Sequence, residues 1–190
     1  MAALTSLPPW ADFPVAEYQH RVATAQAVMG DLGIDSVVLV CQENIEYFAG
    51  FQSSNWQARS FPMAALVLHR GAPPVLVVPA FLETTARACS WVEALVTDYQ
   101  PHRDPREFGP AVVSAVLGHG VPGTVAFESG THLSPPWHLV DYEYVCAALH
   151  ASRIVPGGEI VWQSRAIKSV LEIERLRSLS LLTHKAIQAA

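Results

Sequence analysis

Six short apolar runs alternate with longer stretches of helical spacing, and that alternation constrains the fold of this chain more than any other feature. The runs are Ser36 to Val40, Met63 to His69, Val75 to Pro79, Leu95 to Tyr99, Thr124 to Glu128 and Ala151 to Val155. Ser36 to Val40 is nearly continuous in its apolar character, as a buried strand requires. Gly71, Pro73 and Pro74 separate the second run from the third, which predicts a hairpin. Helical patterns fill the gaps. Tyr18, Val22, Ala25, Val28 and Met29 make an apolar stripe over about Ala16 to Leu32, and Gly33 is placed to cap its C-terminus. Further helices are predicted near Leu82 to Ala88, over Pro105 to Leu117 and over Pro135 to Leu149, the last with its prolines in the first turn, where a missing N–H is tolerated. Strands alternating with helices, plus one hairpin, predict an α/β fold: a mixed β-sheet flanked by helices.

The end of the chain adds a second constraint. Ser169 and Glu172 form a capping box, in which the hydroxyl accepts from the N–H three residues on and the carboxylate reaches back. Behind them Ile173, Leu176, Leu179, Ala186 and Ile187 fall near one helical face. An amphipathic helix needs a surface to pack on. It follows a break at Pro156-Gly157-Gly158, so two readings stand: it folds back on the only core, or it opens a second domain.

Composition bounds the function. The 190 residues suffice for one domain with a sizeable core. With 51% hydrophobic and 15% charged residues the chain is globular. Its formal charge of −5 gives no basic footprint for nucleic acid. The first basic residue is Arg21, after three prolines, which argues against a secretory signal. Val75 to Leu82, the best apolar run, is broken by Pro79 and is too short to span a bilayer. Cys41, Cys89 and Cys146 are odd in number and widely spaced, as expected of free thiols in a reducing cytoplasm.

The chemical motifs are weak. Gly118-His-Gly-Val-Pro-Gly123 fits G-x-G-x-x-G as a string, but a helix precedes it and a strand follows, the reverse of the order that holds a pyrophosphate. Glu128-Ser129-Gly130 lacks the first glycine of a nucleophile elbow. His132 and His138 stand six apart with no carboxylate between them, which does not suit zinc. His102, Arg103, Asp104 and Arg106 read as a polar surface loop, and Cys41, at a strand end, as a core thiol. After Asp141 the only carboxylate side chains are Glu143, Glu159, Glu172 and Glu174, too few to converge on a two-metal centre.

Taken together, several segments resemble a known family. Glu17-Tyr18-x-x-Arg21, Met29, Gly33-Ile34-Asp35 and Asn44-Ile-Glu-Tyr-Phe-Ala-Gly-Phe51 are similar to the N-terminal domain of the creatinase, prolidase and Xaa-Pro aminopeptidase family. Val161-Trp-Gln-Ser-Arg-Ala-Ile-Lys-Ser169, with Glu172-Ile173-Glu174 and Leu176-Arg177, resembles the linker and first helix of that family's pita-bread catalytic domain. One departure is Val170, where the family often has proline. The resemblance implies a ribonuclease H-like sheet architecture and four segments: an N-terminal arm over 1–12, the creatinase-like domain over 13–155, a linker over 156–168, and over 169–190 the first helix of a catalytic domain that the chain lacks. It implies a non-catalytic domain that serves oligomerisation and substrate gating in a metal-dependent C–N hydrolase. The family's two divalent metal ions belong to the catalytic domain, and none of their ligands maps onto this sequence, so neither metal nor catalytic residues are expected here. Its implied partners are its own catalytic domain and a second subunit, with no nucleic acid and no membrane. By analogy with creatinase-like members, Trp56 and Arg59 would grip a substrate carboxylate across a dimer, Arg59 through two parallel hydrogen bonds. The competing reading is a free-standing α/β module that binds a small molecule or a protein. The last helix separates the two, because a free-standing module would bury its apolar face on the sheet.

Overall fold

A computed structural model of the chain describes residues 11–53, 64–101, 104–130 and 137–189. Within them helices and strands alternate in the order α1 (Val15–Leu32), β1 (Ser36–Leu39), α2 (Gln42–Ala49), β2 (Ala65–His69), β3 (Ala72–Val77), α3 (Glu83–Cys89), β4 (Ala94–Val96), α4 (Phe108–Leu117), β5 (Thr124–Phe127), α5 (Leu139–Ala148), β6 (Arg153–Pro156), α6 (Gly158–Ala166) and α7 (Val170–Gln188). The six strands form one sheet in the order β4-β3-β2-β1-β5-β6. β1 and β3 each pair antiparallel with β2, while β3 with β4, β1 with β5, and β5 with β6 run parallel. The expected mixed α/β sheet is therefore present.

Side-chain alternation divides the interior into two cores. On one face Val37, Leu39, Leu66, Leu68 and Leu76 meet Val22, Ala25 and Met29 of α1, Ile45 and Phe48 of α2, and Ile160 and Val161 of α6. On the other, Val38, Val67, Val75, Val77, Val125 and Phe127 meet Phe108, Val112 and Val116 of α4 and Val145 of α5. Both faces of β1 and β2 are covered, which is why their sequences are continuously apolar.

Several boundaries differ from expectation for local reasons. β3 begins at Ala72 and takes in Pro73 and Pro74, which sit where its register with β2 shifts, a place where a missing donor does little harm. α5 starts at Leu139 with His138 as N-cap, not at Pro135, so the two prolines precede the helix in sequence; residues 131–136 lie outside the described residues. Pro105 does open a helical segment, a single 3-10 turn that runs into α4.

Two helices, α2 and α6, went unpredicted. α6 lies in the segment expected to be a linker, yet Ile160 and Val161 are core residues. It sits close because Gly157 lets the backbone pass β5. A Cβ there would stand 2.8 Å from the Phe127 carbonyl oxygen and 3.1 Å from Val37. Gly33 ends α1 in the left-handed region, at φ 65°, as anticipated.

Candidate functional site

α7 separates itself from the rest of the molecule. It spans 19 residues and buries none of them. Its capping box is complete: Ser169 Oγ accepts from the Glu172 N–H at 3.1 Å, and the Glu172 carboxylate accepts from the Ser169 N–H at 2.8 Å. Val170, Leu176, Leu179, Leu181, Leu182 and Ile187 are all exposed. The helix is thus locally well formed, and none of its apolar side chains is fully buried.

The base of α7 meets the core at Arg21. This arginine rises from α1 and is only 4% exposed. Its Nε donates to Glu17 at 3.3 Å and its Nη1 to the Tyr47 carbonyl at 3.0 Å. The guanidinium carbon lies 4.4 Å from the Phe13 ring centroid and 4.2 Å from that of Tyr47, close enough for cation–π attraction. Nη2 is buried without a hydrogen bond, and Glu172 Oε1 stands 3.6 Å away. Tyr47 donates its phenol proton to the Ser164 carbonyl at 2.9 Å. Burial first, and the nearby Glu172 carboxylate second, push the pKa of that phenol up to about 12. A cleft of about 330 Å³ opens beside this cluster, lined by His20, Tyr47, Gln163, Lys168 and Glu172 among others.

A second network ties the cluster to the sheet. Glu128, at the end of β5, is fully buried. Its carboxylate accepts from the Val40 N–H at 2.6 Å, the Cys41 N–H at 2.7 Å and the Asn44 amide. These donors lie at the N-terminus of α2, where the helix dipole favours a negative charge. The Asn44 side-chain oxygen Oδ1 in turn accepts from Arg165 Nη1 of α6 at 2.5 Å. Burial first, and then Glu128, push the Cys41 thiol well up, so it stays a neutral thiol rather than a nucleophile.

The remaining motifs resolve into structural roles. Gly123 and Thr124 give their N–H groups to Asp35 at 2.9 and 3.0 Å, so the glycine string turns α4 into β5 and its last donor is already used. Ser129 donates to the Phe127 carbonyl at 3.2 Å, and Asp104 caps the turn at Pro105 by accepting from the Arg106 N–H at 2.9 Å. His138 Nδ1 lies 3.8 Å from Asp141, whose carboxylate also accepts from the Gly109 N–H at 3.1 Å. Burial, the largest influence, raises the pKa of Asp141. His102, Arg103 and His132 lie outside the described residues, as do Trp56 and Arg59. Among the described residues no three His, Cys, Asp or Glu side chains converge to hold a metal ion. No helix among them is long and apolar enough to cross a membrane.

Sequence reasoning named Arg21, Tyr47 and Glu172 within segments but gave the first two no role. It passed over Glu128 apart from the nucleophile comparison. The available signal was a carboxylate closing an apolar strand, where burial demands several donors.

Comparison with known proteins agrees with this architecture. A dipeptidase PepE from Mycobacterium ulcerans superposes with a TM-score of 0.63 at 20% identity, covering 85% of this chain and 40% of its own. A prolidase from Pyrococcus horikoshii OT3 gives 0.62 at 17% identity, over 90% of this chain and 42% of its own. The N-terminal domain of the cytoplasmic peptidase PepQ from Mycobacterium tuberculosis H37Rv gives 0.58 at 19% identity, over 77% of this chain and 98% of that one. The chain thus spans about two-fifths of the dipeptidase and prolidase, and nearly all of the isolated domain. At these identities the likeness concerns the fold alone. No curated protein matches the sequence. The sequence profile of the creatinase/prolidase N-terminal domain matches residues 21–167, and the chain belongs to that family.

Proposed function

We propose that this chain is the N-terminal, non-catalytic part of a metal-dependent C–N hydrolase of the Xaa-Pro peptidase or creatinase type, and that residues 169–190 begin its catalytic domain. The observation that supports this most is α7: capped at its start, apolar along one side, and with no residue buried. A free-standing module would have laid that side on its sheet. In this reading the family's two divalent metal ions would be held by that catalytic domain, and no step is routed through the described residues, among which no three His, Cys, Asp or Glu side chains converge. The role left to the domain is to help assemble subunits and to gate substrate entry, in the cytoplasm. Trp56 and Arg59 would face a neighbouring subunit's active site, where Arg59 holds the carboxylate of the substrate.

The test is a chimera in which this chain replaces the matching region of a full-length dipeptidase. Arg59→Ala should raise KM for anionic substrates about tenfold, equivalent to about 1.4 kcal/mol, with little change in melting. Unaltered kinetics would remove Arg59 from the site. Light scattering of the chimera should show a dimer or larger assembly, and an active monomer would refute the role in assembly.

A further inference from the structure

We propose that Arg21 is the positioning residue that sets the direction in which α7 leaves the core. No residue of α7 is fully buried, and the apolar residues nearest its base, Leu171 and Ile173, are still 38% exposed, so apolar packing does little to orient it. Its connection to α6 is short, Ile167 to Ser169, and Ile167 is extended. Among the described residues, two ion pairs tie α7 to the rest of the molecule. Arg175 with Asp12 is about half exposed on both sides, in the range where such pairs contribute little. Arg21 with Glu172 is different, because the two side chains are 4% and 14% exposed.

The geometry around Arg21 makes it a fixed reference. Glu17 holds Nε, the Tyr47 carbonyl holds Nη1, and the Phe13 and Tyr47 rings hold the guanidinium face. All of these belong to α1, α2 or the segment before α1. Only Nη2 has no hydrogen bond, and the carboxylate beside it is that of Glu172 in the first turn of α7. The other Glu172 oxygen closes the capping box at Ser169. One carboxylate therefore starts the helix and aims it. Without the guanidinium, Glu17 and Glu172 would face each other as like charges. Arg21 aims α7 whatever α7 later packs on, so failure of this proposal would leave the proposed function untouched.

The experiment places spin labels at Leu181→Cys in α7 and Ala88→Cys in α3, both exposed, with Cys41, Cys89 and Cys146 changed to alanine. Pulsed dipolar spectroscopy should give one narrow distance. Arg21→Met keeps the stem and removes the charge, and Glu172→Gln keeps the capping box, which accepts glutamine, but removes the ion pair. Both should replace the narrow distance with a broad distribution, while circular dichroism shows α7 still formed. A broad distribution in the parent would overturn the proposal, as would a narrow one in both folded variants. Broadening in Glu172→Ala but not in Glu172→Gln would assign the effect to the cap and equally overturn it. If Arg21→Met does not fold, Glu172→Gln decides, since it lies on an exposed helix.

Discussion

Deleting residues 169–190 should barely affect the stability of the remaining domain. α7 buries no residue, and its capping box is internal to itself, so neither contributes to the core. Among the described residues the deletion removes two ion pairs, Arg21–Glu172 and Arg175–Asp12. Arg21 keeps Glu17 and gains access to water as α7 departs, so the cost at Arg21 falls near the range of surface pairs. The two pairs together amount to roughly 1–2 kcal/mol. For a chain of this size that lowers Tm by about 2–8 °C. Deletion from Gly158 behaves differently. It strips Ile160 and Val161 from the core they share with α1, α2 and the sheet, and uncovers part of that core. Loss of two buried aliphatic side chains costs about 2–5 kcal/mol for the larger alone. Adding the exposed core brings the loss close to the whole stability of a typical domain, about 5–15 kcal/mol. The assay is thermal unfolding by circular dichroism of both truncations beside the full chain. A fall above about 10 °C on deleting 169–190 would show that α7 belongs to the core. A cooperative, native-like transition after deleting 158–190 would refute the assignment of α6 to it.

Two further perturbations probe the networks. Glu128→Gln replaces one acceptor oxygen with a donor against three donors, which costs about 2–3 kcal/mol. Tm should fall by roughly 4–12 °C, and an unchanged Tm would show that the carboxylate does not anchor α2. His69 is buried, shares a 2.9 Å hydrogen bond with Ser36, and lies 4.8 Å from the His119 ring. Burial first, and His119 second, lower its pKa below the ordinary 6.5. The unfolded chain therefore takes up this proton before the folded one. Its contribution to stability is complete above about pH 6.5 and is lost as pH falls from there towards the lowered folded value. The urea midpoint should drop between about pH 7.5 and 5.5, and less so in His69→Gln; equal slopes in both proteins would refute the assignment.

How much was legible follows from where each signal originates. The central strands were readable because a sheet covered on both faces demands continuous apolar runs, as in Val37 to Leu39 and Leu66 to Leu68. α1 was readable from its stripe and from Gly33, and the start of α7 from Ser169 and Glu172, because these signals are local. α2 was not. It has eight residues, too few for a clear period, and is held from afar by Glu128 and by the Trp91 indole, which donates to the Phe48 carbonyl at 2.9 Å. α6 was hidden by Pro156-Gly157-Gly158, which reads as a break in sequence but serves as a close crossing over β5 in space. The Arg21 cluster gathers groups from Phe13 to Glu172, so no window of sequence contains it. Trp56 and Arg59 came from family resemblance alone, and the described residues do not include them.

If this domain positions a hydrolase without performing hydrolysis, the purified 190-residue chain should be inert. The deciding assay incubates it with Mn²⁺, Co²⁺ or Zn²⁺ and Xaa-Pro dipeptides or creatine. No release of product above the metal-only control is expected. Turnover that scales with protein and disappears with chelator would contradict the assignment.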